Sequence, residues 1–207
     1  MKILAVSDIV LPQMETSSYL QRTYDGIEMV ISCGDMPAPY IEYIASVLSA
    51  PLFFVRGNHD MNYADGFPGG ENLHLKTVRY RGLWLAGLEG SMMYNGQPCQ
   101  YTDTQMAQMV IGMAPGMLWR RRRNGYGVDI LVTHSPPLGI HDAEDKPHRG
   151  FRAMRWAIQW YRPRFLIHGH IDVNDRRKTI ETQVGATTVL NINPVKLLTV
   201  EVAKSAR

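Results

Sequence analysis

One pattern recurs along this chain and constrains its fold more than any other: a short apolar run that ends abruptly in Asp, Asn or His. Ile3 to Val6 gives way to Ser7-Asp8, and Met29 to Ile31 leads through Ser32-Cys33-Gly34 to Asp35. Leu52 to Val55 is followed by Arg56-Gly57-Asn58-His59-Asp60, Ile130 to Val132 by Thr133-His134-Ser135, and Phe165 to Ile167 by His168-Gly169-His170. Runs of this length, rich in β-branched and aromatic residues, read as buried strands. In open α/β sheets ligands bind at the carboxyl ends of the strands. The pattern therefore predicts one sheet edge lined with Asp, Asn and His.

The segments between these runs read as helices. Ile41, Ile44, Ala45 and Leu48 repeat at helical spacing over Tyr40 to Leu48. Thr104 to Met113 is a second helix, with Thr102 or Asp103 as its cap. Gly150 to Tyr161 is a third, placing Phe151, Met154, Ile158 and Tyr161 on one face, with Pro163 just beyond. Thr77 to Tyr80 and Leu83 to Leu88 flank Arg81-Gly82 as a tight hairpin. Thr187 to Ile192 and Leu197 to Val202 flank Asn193-Pro194 as a further strand pair. This order predicts mixed sheets with helices outside, a layered α/β architecture. At 207 residues, one domain spanning residues 1–207 is expected.

Composition narrows the functional class. The chain is 45% hydrophobic and 20% charged, with a formal net charge of +3, which suits an anionic substrate without demanding nucleic acid. Cys33 and Cys99 have no zinc-ribbon spacing and read as buried thiols in a reducing compartment. With no signal-like segment and no membrane-length apolar stretch, a cytoplasmic protein with no membrane partner is expected.

Lone Asp or His residues at strand ends carry little weight; convergence carries more. Asp8, Asp35, Asn58, His134 and His170 all close apolar runs, and oxygen donors mixed with imidazoles suit Mn, Fe or Zn. No thiolate joins the set, which argues against a structural zinc site. In this order and spacing, Ser7-Asp8, Gly34-Asp35, Gly57-Asn58-His59-Asp60, Thr133-His134 and Gly169-His170 resemble the motifs of the calcineurin-like metallophosphoesterases: D-x-H, G-D, G-N-H-D/E, a single H, then G-H-x-H. The resemblance runs from Asp8 to Asp172.

The resemblance implies an αββα sandwich of two mixed β-sheets flanked by helices. It implies one or two divalent metal ions, with manganese the first expectation and iron, zinc or magnesium as alternatives. Asp35 would bridge both metals, Asn58, His134 and His170 would complete the second site, and Asp8 would serve the first. His59 would stay off the metals and protonate the leaving group. Two departures fall on the first metal site. Val10 stands where the family has a ligating His, and Asp172 replaces the second His of the last motif. A weaker, more oxygen-rich first site is expected, with Asp172 as a ligand. Met36-Pro37-Ala38-Pro39 lacks the acidic residue that some relatives place after Asp35.

The chemistry implied is hydrolysis of a phosphomonoester or phosphodiester by a hydroxide generated between dications. Asp60 is a candidate for orienting His59. The polar loop Gly139 to Gly150 follows the His134 strand end, and His141, His148 and Arg149 are candidates for contacting substrate phosphate, against the plainer reading of a solvated loop. The loop Glu89 to Gly96 is placed equally well as pocket lining or as plain surface. The Arg120 to Arg123 run and Asp175-Arg176-Arg177-Lys178 read as solvated charge; a nucleic-acid partner would need such a patch on the same edge as the site. His74 reads as structural or exposed, and His168 as support for the site or as core. The expected partner is a small phosphorylated substrate, with the oligomeric state open. The alternative is a non-catalytic scaffold on the same fold with an eroded first site, since relatives of that kind, including the retromer scaffold subunit, exist.

Overall fold

The computed structural model describes residues 1–60, 67–173 and 179–202. The Asp175 to Lys178 charge run lies outside the described residues. Strands β1 (Lys2–Val6), β2 (Met29–Ser32), β3 (Leu52–Phe54) and β4 (Glu71–Asn72) run parallel, and β13 (Val195–Thr199) pairs antiparallel with β1. These five form the first sheet, in the order β13-β1-β2-β3-β4. The second sheet is β11-β12-β10-β9-β6-β5, built from β5 (Thr77–Tyr80), β6 (Leu83–Leu88), β9 (Ile130–Thr133), β10 (Phe165–His168), β11 (Glu181–Val184) and β12 (Thr187–Asn191). Within it β6, β9, β10 and β12 are parallel, and β5 and β11 close the edges as antiparallel hairpins. A short ribbon, β7 (Ser91–Met92) with β8 (Gln100–Tyr101), stands apart from both.

Alternation of side chains along each strand explains the layers. Ile3 and Ala5, Met29 and Ile31, Leu83 and Leu85, Ile130 and Val132, and Ile167 and Leu190 point inward into one apolar layer between the sheets. Their neighbours point outward. Leu4, Val6, Val30 and Leu52 pack under α1 (Ser17–Thr23) and α2 (Ala38–Val47), burying Leu20, Ile41 and Ile44. Leu88, Leu131, Leu166 and Val189 pack under α3 (Asp103–Asn124) and α4 (Arg152–Tyr161), burying Met106, Val110, Met154 and Tyr161. Two mixed sheets with helices on both outsides result, as expected. Strands buried on both faces read as unbroken apolar runs, which is why they are visible in the sequence.

Two expectations are corrected. The strands flanking Asn193-Pro194 do not form a pair, because β12 lies in the second sheet and β13 in the first. The chain crosses between sheets there. The helix predicted to stop at Met113 runs on through Pro115 to Asn124. A proline leaves the carbonyl four residues back without its partner. Here that residue is Ile111, which is exposed, so water can serve its carbonyl. Met106, Val110 and Met117 hold both halves of the helix on the core. Of the two candidate caps Thr102 is used: its hydroxyl accepts from Gln105 N–H while the Gln105 side chain accepts from Thr102 N–H. Among the described residues no helix is long and apolar enough to cross a membrane.

Candidate metal centre

His134 follows directly on β9, and Asp8, Asp35, Asn58 and His170 lie in the turns just past the ends of β1, β2, β3 and β10. All five strands deliver their polar ends to the same edge. Asp8 and Asp35 come from the first sheet, His134 and His170 from the second, and one ligand atom of each lies within 4.8 Å of the others. The backbone turns sharply to bring them in. Asp8, Asp35 and His170 have φ of 65°, 54° and 67°, the left-handed region that non-glycine residues seldom occupy. Glycines permit the close approach: a Cβ on Gly57 would overlap the Asp35 carboxylate, and one on Gly169 would overlap Ser7 Oγ and Asp8 Oδ2.

Hydrogen bonds fix each donor. Asp60, buried, accepts Asp35 N–H at 2.6 Å and Gly57 N–H at 2.9 Å through one oxygen, clamping the two ligand-bearing turns together. Through that oxygen it holds the Asp35 turn in place. Asp8 Oδ2 accepts His170 N–H at 2.9 Å, bridging the two sheets. The Cys33 carbonyl sits 2.8 Å from His134 Nδ1 and can only accept, so Nδ1 carries the proton. His134 Nε2 then faces Asp35 Oδ2 at 3.3 Å and Asn58 Oδ1 at 3.1 Å. By the same logic His170 Nε2–H donates to the Pro147 carbonyl at 2.8 Å, which leaves Nδ1 with the lone pair.

This donor set requires positive charge. A neutral His134 would present a lone pair to two acceptor oxygens, and only a proton or a metal ion between them resolves that contact. Burial alone would hold His134 neutral, but the Asp35 carboxylate, with Asp8 behind it, raises its pKa to about 9. Burial would likewise raise Asp35, yet the charge and hydrogen bond of His134 bring it down to about 2. Asp8 is raised by burial, and burial with the charge of His134 takes His170 down to about 3, a neutral imidazole ready to ligate. Carboxylate, amide and imidazole donors at one point fit a divalent transition ion. The residues present therefore fit the metal that the family implies.

The other residues singled out from the sequence divide clearly. A cavity of about 420 Å³ is lined by Asp8, Asp35, Asn58, His59, His148, His170 and Asp172, together with Tyr94 and Pro147. His59 stands at its mouth, 72% exposed, with Nε2 4.0 Å from Asp35 Oδ2. Asp172 lies on the wall, its Oδ1 accepting from Asn193 Nδ2 at 3.0 Å, outside the close cluster of four. His148 stacks on His170 with ring centroids 5.1 Å apart, its Nδ1 bonded to Asp145 at 2.6 Å. Val10 is exposed.

His141 is not in this cavity. Its Nδ1 meets His168 Nε2 at 3.0 Å and its Nε2 meets Thr182 Oγ1 at 2.9 Å. His168 is bonded to the Gly169 carbonyl through Nδ1, so His141 donates to His168 and accepts from Thr182. Both rings are satisfied away from the metal ligands. Arg149 is exposed and lies outside the cavity lining as well. The sequence reading missed the part this loop does play at the centre, which is the backbone carbonyl of Pro147 on His170. A carbonyl carries no residue-type signal.

Glu89, the first residue of the loop Glu89 to Gly96, is not among the site candidates named from the sequence. Glu89 is buried and accepts a forked pair of bonds from Arg56, plus the Tyr101 hydroxyl at 2.8 Å, with His74 beside it. Its signal was present, for it too is an acid directly after an apolar strand. The Arg120 to Arg123 run lies at the opposite edge. Arg120 donates to the Gly127 carbonyl just before β9 and stacks over Trp84 near the start of β6, and Arg121 donates to the carbonyls at the end of α4.

The sequence model for calcineurin-like phosphoesterase matches residues 1–174. Comparison with curated proteins finds no match. Among solved structures, TT1561 of Thermus thermophilus is similar at a TM-score of 0.58 and 16% identity, covering 92% of this chain and 88% of that one. A single mutant of Vps29 from Entamoeba histolytica gives 0.42 at 14% identity, covering 98% and 88%. An archaeal phosphodiesterase gives 0.41 at 14% identity, covering 93% and 83%. With the family model matched across most of its length, and with the ordered ligand motifs converging on one edge, this chain belongs to the calcineurin-like phosphoesterase family.

Proposed function

We propose that this chain is a metal-dependent hydrolase of phosphomonoesters or phosphodiesters. The observation that carries the proposal is the convergence of Asp8, Asp35, His134 and His170, one ligand atom of each within 4.8 Å of the others, with Asn58 Oδ1 3.1 Å from His134 Nε2. Asp8, Asp35, Asn58, His134 and His170 would hold the metal, with manganese the first choice for this oxygen-rich set. A divalent ion supplies Lewis-acid stabilisation of phosphoryl charge and lowers the pKa of water.

The chain's own residues supply the remaining parts. Asp60 and the Cys33 and Pro147 carbonyls fix the ligand orientations before any metal arrives. His59, exposed at the cavity mouth, would reach a leaving group and give it a proton. Asp172, on the same wall, would be the further carboxylate of a first metal position to which Val10 could contribute nothing. A small phosphorylated substrate is favoured over nucleic acid, because the Arg120 to Arg123 run sits on the far edge and two of its guanidiniums are engaged with protein carbonyls.

A second reading, a non-catalytic protein on the same fold, draws on Val10 and on the engagement of Asp172 by Asn193. Hydrolysis of p-nitrophenyl phosphate and of its bis ester with added Mn²⁺ separates the two. Turnover that rises with metal supports the hydrolase. Background rates with every divalent ion tried, in well-folded protein, overturn it.

A further inference from the structure

Tyr94 enters the metal cavity from a loop fixed more thoroughly than a surface loop needs to be. Gly90 N–H donates to the Arg56 carbonyl at 2.9 Å, tying the start of the loop to the strand end that carries Asn58 and His59. The ribbon of β7 and β8 then pairs Ser91 with Gln100 and Met92 with Tyr101. Gln100, itself buried, accepts Tyr94 N–H at 3.1 Å and Asn95 N–H at 3.2 Å, and returns a bond to Asn95 Oδ1 at 2.6 Å. The result is a braced platform with Tyr94 at its tip.

The ring of Tyr94 belongs to none of the apolar clusters among the described residues. Tyr94 instead lines the cavity with Asp35, His59 and His170, and its hydroxyl lies 3.4 Å from Asn58 Nδ2. Asn58 turns its oxygen to His134, so its amide nitrogen donates and the Tyr94 oxygen accepts. The phenolic proton is left over. The partner it can serve is an acceptor entering the cavity, and on the phosphoesterase reading that acceptor is a phosphoryl oxygen.

We propose that Tyr94 is a substrate-contacting residue, donating its hydroxyl proton to a non-bridging oxygen of the phosphoryl group bound beside the Asp35–His134 ligand pair. The inference rests on the phosphoesterase reading but concerns a residue outside the family's ligand motifs. A platform on which the hydroxyl is already oriented avoids the cost of ordering it when substrate binds.

The test is Tyr94→Phe, which removes one oxygen and keeps the ring. In Mn²⁺-loaded protein, kcat/KM for p-nitrophenyl phosphate should fall by about tenfold, the scale of one hydrogen bond. Inhibition by inorganic phosphate should weaken by a similar factor, while Mn²⁺ affinity measured by calorimetry stays unchanged. Unchanged kinetics and unchanged phosphate inhibition overturn the proposal. So does a loss of Mn²⁺ affinity that accounts for the whole effect, because Tyr94 would then act only as a brace for Asn58. If the wild-type protein hydrolyses nothing, the phosphoesterase reading fails on its own. Phosphate binding to the Mn²⁺-loaded proteins then decides Tyr94: weaker binding by Tyr94→Phe upholds the contact, and equal or absent binding in both overturns it.

Discussion

Arg56 and Glu89 form a forked ion pair, Nε to Oε2 at 2.8 Å and Nη2 to Oε1 at 2.7 Å, joining a strand end of one sheet to a strand end of the other. The pair is unequal: Glu89 is 1% exposed and Arg56 23%. Removing the partly exposed cation strands a buried carboxylate, whereas removing the carboxylate leaves a cation that can reach water. Arg56→Met should therefore cost about 3–5 kcal/mol, and Glu89→Gln clearly less. Urea unfolding of both variants checks the order; equal costs would sink the argument.

The same pair sets an acid limit. Burial would raise the Glu89 carboxyl, but the bonds from Arg56 and Tyr101 and the neighbouring His74 bring it below the ordinary Glu value. A depressed folded pKa gives stability that is fully present above the unfolded pKa and lost as pH falls through the folded one. Melting temperature should thus fall below pH about 4.3 more steeply in the wild type than in Glu89→Gln. Parallel pH profiles for the two would contradict this.

Metal binding should expel a proton from His134. With its pKa raised to about 9 by Asp35, the metal-free imidazole is charged at neutral pH, and a cation must displace that proton to reach Nε2. Apparent Mn²⁺ affinity should then climb as pH rises toward about 9 and flatten beyond it. Calorimetry in buffers of different ionisation enthalpy measures the release directly, with about one proton expected per tightly bound ion. No release at neutral pH would rule out the displacement.

If the site takes two metal ions, they should load unequally. On the two-metal reading proposed above, Asn58, His134 and His170 with bridging Asp35 would offer a full set of donors to one ion, while the other would have Asp8, Asp172 and the shared Asp35, and nothing from Val10. Titration should give a tight and a weak equivalent. Val10→His should tighten the weak one by about tenfold or more, and Asp172→Asn should abolish it. A single class of site unaffected by either variant would refute the asymmetry.

His141 and His148 sit on one loop but should behave oppositely. His141→Ala removes the donor to buried His168 and should cost about 1–3 kcal/mol while leaving kcat/KM untouched. His148→Ala, at the cavity wall, should lower kcat/KM with little change in melting temperature. The reverse pattern would show that the loop has been read the wrong way round.

What the sequence made legible follows from how strongly each feature depends on residue type. Strands buried on both faces need unbroken apolar runs, and ligands need Asp, Asn or His, so β1, β2, β3, β9 and β10 and their polar ends stand out. Features made by backbone or by distant pairing do not. The two-residue strands β4, β7 and β8 are too short for any periodicity to show. The orienting carbonyls of Cys33 and Pro147 could belong to any residue. Asn193-Pro194 announces a change of direction but not a change of sheet. Pro115 is a helix breaker by type and is tolerated through its exposed position. His141 has the right type and the right loop, and faces away because His168 and Thr182 accommodate it better.

The ligands' origin in both sheets has a mechanical consequence. Asp8 and Asp35 hang from one plate, His134 and His170 from the other, and His170 N–H already reaches across to Asp8. A bound ion is then a rivet at one rim of the sandwich. Chelation should let that rim open and close while the apolar layer keeps the opposite rim shut. Amide exchange at His170 and Asp8 would quicken well before any strand is lost, so the protein would report its own loading state through the breathing of a single seam.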